Sequence, residues 1–298
     1  MSAPVELAGV ASLSDSYAEV GGVRLHYVEA GEGPLVVLLH GFPEYWYSWR
    51  HQIPALAAAG YRVVAPDMRG YNLSDRPRGW RLYDTDCLAD DVAGLIRHCG
   101  EERAYVVGHD WGAAVAYATA MRHPEAVRRL AILNVPHTAR MLDGFRTLKQ
   151  LRKSWYMFFF QLPSLPERLI ARDGFSFAKR ALRADSPTAF TDEDLERYAE
   201  AWAQPGALTG MLNYYRAALR SSPRKALDRL RPIEVPVLVI WGKRDRHLGS
   251  ELAEPPARWV PHGRIEWIPD ATHWVQHDAP GRVNELLIEF LRADDPSA

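Results

Sequence analysis

The strongest chemical signal in the chain is a turn, Gly108-His109-Asp110-Trp111-Gly112. An apolar run at 104–107 precedes it and an apolar helical stretch at 112–121 follows it. Small residues on either side of a central one permit a strained bend and a close approach of helix to strand. The central side chain is then thrust out past the strand end, above a helix N-terminus whose free N–H groups and dipole favour an anion. Here that side chain is Asp110; a plain helix cap is the simpler account of an Asp at this place. A serine attacking a saturated carbon would form an ether, which water does not readily cleave. A carboxylate forms an ester instead, and water can attack its carbonyl carbon. Asp110 therefore points to substitution at carbon through a covalent intermediate.

Release of that ester needs a base and a group to orient it. With a nucleophile on this kind of turn the chain order is nucleophile, acid, histidine. The run at 237–241 is followed by Gly242-Lys-Arg-Asp245, and the run at 264–268 by Pro269-Asp-Ala-Thr-His273. Both loops lie just past strand C-termini, where sites in open α/β sheets assemble. His273 is expected to take a proton from water, with Asp245 fixing its tautomer and stabilising the imidazolium. His262 and His277 are rival histidines and Asp270 a rival acid; Asp270 shares the turn of His273, and His277 opens the next helix. Phe42 follows the run at 35–39 in Leu38-Leu39-His40-Gly41-Phe42-Pro43. The N–H groups of Phe42 and Trp111 are expected to form an oxyanion hole.

These residues need a scaffold. Short apolar runs at 24–28, 35–39, 61–65, 104–107 and 130–133 alternate with helical stretches, notably 84–99. That alternation predicts a mostly parallel sheet covered on both faces. From about residue 137 to 232 the pattern turns wholly helical, and strands resume at 237–241 and 264–268 before a closing helix at 283–291. The expected organisation is an α/β core from 1–136 and 233–298, with a helical cap at 137–232 inserted after the sixth-strand candidate. Charge follows this division. The insert holds 17 Lys/Arg and 10 Asp/Glu, a net of +7, and the remainder holds 19 and 27, a net of −8. Solvated helix surfaces explain such an excess most simply; docking of insert on base, or steering of an anionic ligand, is the sharper alternative.

Composition bounds the function. The 298 residues carry a net charge of −1 and are 47% hydrophobic. There is no basic patch of the kind nucleic-acid binding requires, and no run approaches the length of a membrane span. Cys87 and Cys99 are expected as free thiols in a reducing cytosol. Residues 1–10 lack the pattern of a signal peptide, so a cytoplasmic protein is expected. No zinc spacing and no phosphate-binding glycine loop occur, so neither cofactor nor metal is expected.

Taken together, His40-Gly-Phe-Pro, Pro66-Asp-Met-Arg-Gly-Tyr-Asn-Leu-Ser-Asp75, Gly-His-Asp110-Trp-Gly and the late Asp245 and His273 resemble the epoxide hydrolases of the α/β-hydrolase fold. The resemblance spans roughly residues 20 to 292. It implies two cap tyrosines that donate hydrogen bonds to the epoxide oxygen. Tyr156-Met-Phe-Phe-Phe160-Gln161 fits the first, and Asn213-Tyr214-Tyr215-Arg216 fits the second, giving Tyr156 and Tyr215. It also implies that Glu44 lies near the hydrolytic water. Neutral phenols, with pKa about 10, suit donation to a developing alkoxide.

The resemblance implies a small apolar epoxide and water as reactants, a vicinal diol as product, and a monomer or homodimer. Haloalkane dehalogenation by the same triad is the alternative, and a noncatalytic ligand-binding protein a more distant one. Phe42 departs from the Asn of one dehalogenase class, while Trp111 fits both families. Asn134 stands where some dehalogenases place their acid, which leaves Asp245 the better acid. Tyr45, Trp46, Trp49, Trp155, Trp202 and the Phe158–Phe160 run are the aromatic candidates for a pocket lining.

Overall fold

The computed structural model describes residues 12–293 together with Leu7, Gly9 and Val10. Eight strands form one sheet: β1 (Ser14–Val20), β2 (Val23–Ala30), β3 (Leu35–Leu39), β4 (Arg62–Pro66), β5 (Ala104–His109), β6 (Val127–Leu133), β7 (Val237–Gly242) and β8 (Gly263–Ile268). Their spatial order is β1-β2-β4-β3-β5-β6-β7-β8. β2 pairs antiparallel with β1 and β4, and every other neighbouring pair is parallel. All five residues of β3 and all six of β7 are buried. Continuous apolar runs of this kind belong to strands covered on both faces.

Helices α1 (Gln52–Ala58), α2 (Thr85–His98) and α3 (Trp111–Arg122) lie between the strands. The Asp84 side chain caps α2 by accepting from the Asp86 N–H at 3.1 Å. Between β6 and β7 the described residues hold seven helices and no strand: α4 (Thr138–Gly144), α5 (Leu148–Lys153), α6 (Trp155–Phe159), α7 (Leu165–Asp185), α8 (Asp192–Trp202), α9 (Ala207–Arg220) and α10 (Pro223–Asp228). α7 is broken where Asp173, Gly174 and Phe175 turn left-handed. After β8 come α11 (Val275–Asp278) and α12 (Pro280–Arg292). No helix among the described residues is long and apolar enough to cross a membrane.

β1 was not expected. Only Ala18 and Val20 of its seven residues are buried. An edge strand paired on one side needs few apolar residues, so it carries no buried-strand signal. The Pro66–Gly70 turn is structural: Asp67 is buried and accepts the Trp46 N–H at 3.1 Å and the Asn72 amide at 2.8 Å.

Candidate active site

Asp110 closes the β5–α3 turn with φ 49° and ψ −123°. A positive φ is unfavourable for any residue with a Cβ, by about 1–3 kcal/mol, and the surroundings must hold it there. They do so by close packing. A Cβ on Gly112 would lie 2.0 Å from the Leu39 carbonyl oxygen, and one on Gly41 would lie 2.3 Å from Asp110 Cβ. The Asp110 side chain makes no capping bond to α3. It turns instead to the β3 loop, where Oδ1 accepts the Phe42 N–H at 2.7 Å. Phe42 precedes a cis bond to Pro43. Trp111 is the first residue of α3, so its N–H is one of the helix-terminal donors without an intrahelical acceptor.

The other oxygen of Asp110, Oδ2, lies 3.5 Å from His273 Nε2. His273 Nδ1 in turn lies 2.8 Å from Asp245 Oδ2. These three side chains come from the ends of β5, β7 and β8, brought together because parallel neighbours end at one edge of the sheet. Asp245 Oδ1 accepts the N–H groups of His247 at 2.7 Å and Leu248 at 2.8 Å. Asn134, just past β6 with φ 50°, donates to Asp245 Oδ2 at 2.8 Å and accepts the Gly242 N–H at 2.9 Å. Position 134 thus orients the acid, a role the sequence reading did not give it. Asp270 is exposed and bonded to Arg244, 2.5 Å away, so it is no rival acid.

The electrostatics follow from this placement. Burial by itself raises the Asp245 pKa, but the His273 charge and the four hydrogen bonds to the carboxylate outweigh it and bring the value to about 2. Burial opposes a charge on His273, yet Asp245 and Asp110 on its two sides raise its pKa to about 10. Asp110 is lowered: burial disfavours its charge, and His273, His109 and the Phe42 N–H overcome that.

Tyr156 and Tyr215 converge on this point from α6 and α9. Tyr215 packs edge-on against Phe42 (centroids 5.2 Å apart), Trp111 (5.1 Å) and Tyr156 (5.8 Å). Tyr156 also meets His247, whose ring lies 5.2 Å from that of His273. Burial, and after it the Asp110 charge, raise both phenols above their ordinary pKa. Both remain protonated donors at any working pH. Asp110, Trp111, Tyr156 and Tyr215 share the lining of a cavity of about 490 Å³ with Ala114, Met141, Phe145 and Met157.

The aromatic candidates for that lining are replaced. Tyr45, Trp46, Trp49 and Trp202 are core side chains, and Trp155 is 61% exposed. None of them lines the cavity, and neither do residues 158–160; Tyr83, Tyr214 and Phe145 do. The aromatics near the ends of β3 and α8 pack on one another, whereas the lining comes chiefly from α3, α4, α6 and α9.

Glu44 is fully buried and its oxygens are engaged. Oε1 accepts from Tyr198 Oη at 2.8 Å and from His277 Nε2 at 2.6 Å, and Oε2 accepts from Gln276 Nε2 at 3.1 Å. The carboxylate reaches the His273 loop through neighbours. Gln276 also donates to His109 Nδ1 at 3.1 Å, and His109 Nε2 donates to the His273 carbonyl at 2.9 Å. His109, inside the β5–α3 turn, thus braces the His273 loop.

Insert and base meet through opposite charges. Arg229 binds Asp84 and Asp86, Lys225 binds Asp84 at 3.3 Å, and Lys149 binds Glu251 at 3.0 Å. Other basic side chains of the insert pair within it, as Lys179–Glu196 and Arg197–Glu193 do. The charge division therefore serves docking in part and ordinary helix surface in part.

Residues 34–280 match the family model of the alpha/beta hydrolase fold. The chain is 44% identical over 280 residues to AB hydrolase superfamily protein YfhM of Bacillus subtilis (strain 168), covering 93% of this chain and 97% of that protein. It is 37% identical to Epoxide hydrolase 4 of Mus musculus over 92% of this chain and 77% of that protein. Among solved structures, an epoxide hydrolase of Bacillus megaterium in complex with an inhibitor superposes with a TM-score of 0.84 at 34% identity, covering 93% of this chain and 99% of that one. Epoxide Hydrolase A of Mycobacterium thermoresistibile gives 0.83 at 34% identity over 95% and 99%.

Proposed function

The chain belongs to the epoxide hydrolases of the α/β-hydrolase fold, and from that premise we propose that it opens an apolar epoxide to a vicinal diol through an ester on Asp110. The observation that carries the reading is the state of Asp110. One oxygen is held by the Phe42 N–H, and the other lies 3.5 Å from a histidine bonded to an acid.

Oδ2, the oxygen not held by Phe42, attacks a ring carbon, and the ring C–O bond breaks. Tyr156 and Tyr215 donate to the departing oxygen, and one of them gives it a proton. Residues 137–232 serve as a cap that brings these phenols over the core formed by the rest of the chain. In the second half-reaction water loses a proton to His273 and attacks Asp110 Cγ. The N–H groups of Phe42 and Trp111 hold the oxyanion. Collapse releases the diol, and a proton returns to the phenolate.

The electrostatics suit this order of events. In the resting site two carboxylates favour protonated His273. Esterification removes the charge of Asp110, so the His273 pKa falls; the ring gives up its resting proton, the one that returns to the phenolate, and becomes a base in the step that needs one. Glu44 contributes to placing the hydrolytic water through Gln276 and His109 rather than through a free oxygen of its own.

A single turnover with enzyme in excess, run in heavy-oxygen water, tests the ester. The label is expected in the Asp110 carboxylate and not in the diol. A labelled diol with unlabelled Asp110 would mean that water attacks the epoxide directly, and would sink the ester route.

A further inference from the structure

Exposed apolar side chains are concentrated in one stretch of the molecule. Among the described residues twelve large hydrophobic side chains are exposed, and six of them fall between 148 and 169: Leu148, Trp155, Phe158, Leu162, Leu165 and Leu169. Trp155, Phe158 and Leu162 follow one another at three- and four-residue steps, which puts them on one face of α6 and its continuation. Leu165 and Leu169, four apart, share a face of the first turns of α7. Clustered exposure of this kind marks an interaction surface, whereas scattered single residues do not.

The inner side of the same stretch is fastened. Arg216 on α9 is buried and donates to the carbonyls of Phe160 at 3.0 Å and Leu162 at 3.1 Å, and it pairs with Glu167 at 2.9 Å. Gln161 donates to the Tyr215 carbonyl at 3.1 Å. The outer face is therefore held in place by α9 with its apolar side chains turned out.

The charge beside it is mostly basic, and Arg146, Lys149 and Arg172 pair with Asp143, Glu251 and Asp173 at its margins. Residues 146–172 contain six Lys/Arg and a single acid, Glu167, which the Arg216 pair already occupies. Arg152 and Arg168 are exposed, and neither has a carboxylate partner among the described residues. Aromatic and leucine side chains bordered by basic ones are the composition of surfaces that lie in the headgroup layer of anionic lipid. A second copy docked here about a two-fold axis would set basic face against basic face, which disfavours that occupant.

We propose that the outer face of α5–α7 is a docking surface for an anionic lipid bilayer, with Trp155, Phe158 and Leu162 entering the headgroup region and Arg152 and Arg168 meeting lipid phosphates. Flotation of the full chain with vesicles of phosphatidylcholine alone, and with phosphatidylglycerol added, tests it. The chain is expected to float with the phosphatidylglycerol vesicles and not with the neutral ones, with a blue shift of tryptophan emission. Raising salt is expected to release it. Trp155→Ser with Phe158→Ser is expected to lower the bound fraction about tenfold, and Arg152→Glu with Arg168→Glu to do likewise. Activity on a water-soluble epoxide is expected to stay unchanged in both, since neither pair touches the cavity. Failure to float with anionic vesicles overturns the proposal. So does a concentration-dependent dimer that the Trp155→Ser, Phe158→Ser variant abolishes, because the face would then belong to a second copy.

Discussion

Two buried histidines lie four residues apart after β8, and each is bonded to a buried carboxylate. His273 meets Asp245 at 2.8 Å, and His277 meets Glu44 at 2.6 Å. Yet the pKa of His273 is raised to about 10, while that of His277 is lowered to about 4. Burial pushes both down. His273 overcomes it because the carboxylates of Asp245 and Asp110 face it on both sides. His277 does not: Arg50 donates to its Nδ1 at 3.1 Å, and the Arg50 charge opposes a proton there. Glu44 also divides its charge among the donors Tyr198, Gln276 and His277. A His–carboxylate pair is thus not in itself a catalytic base. What decides is the charge on the far side of the ring: the Asp110 anion for His273, the Arg50 cation for His277.

The comparison is broken most severely by His273→Gln. Loss of the base is expected to slow turnover roughly 1000-fold or more. The alkyl-enzyme should accumulate, read as an intact-mass increase equal to the epoxide. His277→Leu should instead leave kcat within about tenfold and lower stability by about 2–3 kcal/mol, because Glu44 loses a donor and an Arg50 N–H loses its acceptor. Denaturant melts of the two variants beside their kcat values check this division of roles. If His277→Leu trapped the ester, the two sites would not differ in kind.

The pH dependence of stability sharpens the contrast, because the two rings act on opposite limbs. His277 has a folded pKa of about 4 against 6.5 unfolded. The unfolded chain therefore binds its proton first, and stability is lost as pH falls from about 6.5 to 4, by about 3 kcal/mol from this ring. His137, also lowered to about 4, adds to the same limb. His273 has the reverse sign. Its contribution is full below 6.5 and is lost as pH rises towards 10, on the order of a few kcal/mol. Melts across pH should show the acid limb reduced in His277→Leu and the alkaline limb reduced in His273→Gln. A smaller effect is expected from Arg50→Met. Removing the cation should raise the His277 pKa, though burial keeps it under 6.5, as imidazole resonances followed by NMR would report.

The sequence displayed the side of this comparison proposed to be catalytic and hid the other. Asp110, Asp245 and His273 sit directly after strand-type runs, in turns whose glycines and order carry the chemistry, so their position follows from local pattern. Glu44 and Arg50, Asp194 and Tyr198, and His277 come from three distant segments of the chain and meet only by packing. No spacing announces them, and in the sequence His277 stands only as a rival to His273, set aside because it opens the next helix. The same limit explains the misplaced pocket aromatics. Whether Trp46, Trp49 and Trp202 belong to a core or line a cavity depends on which helices pack there, which residue type alone does not say. β1 went unseen because an edge strand needs only Ala18 and Val20 to hold it.

The smallest expected effect tests how finely the acid is tuned. Asn134 donates to the same oxygen of Asp245, Oδ2, that meets His273 Nδ1. In Asn134→Ala that oxygen loses one donor, while Oδ1 keeps the His247 and Leu248 N–H groups. Charge on Oδ2 is then shared with His273 alone. The pair should tighten, and the His273 pKa should rise slightly if the carboxylate stays in place. A base that releases its proton less readily slows ester hydrolysis, so kcat should fall a few-fold, with the pH–rate profile displaced towards alkali. The competing outcome is a displaced carboxylate. Asn134 also accepts the Gly242 N–H at 2.9 Å, and losing that bond frees the β7 loop that carries Asp245. A loosened Asp245 would lower the His273 pKa and move the profile towards acid instead. The direction of that displacement therefore separates tuning of charge from holding of geometry at a side chain that touches both strand end and acid.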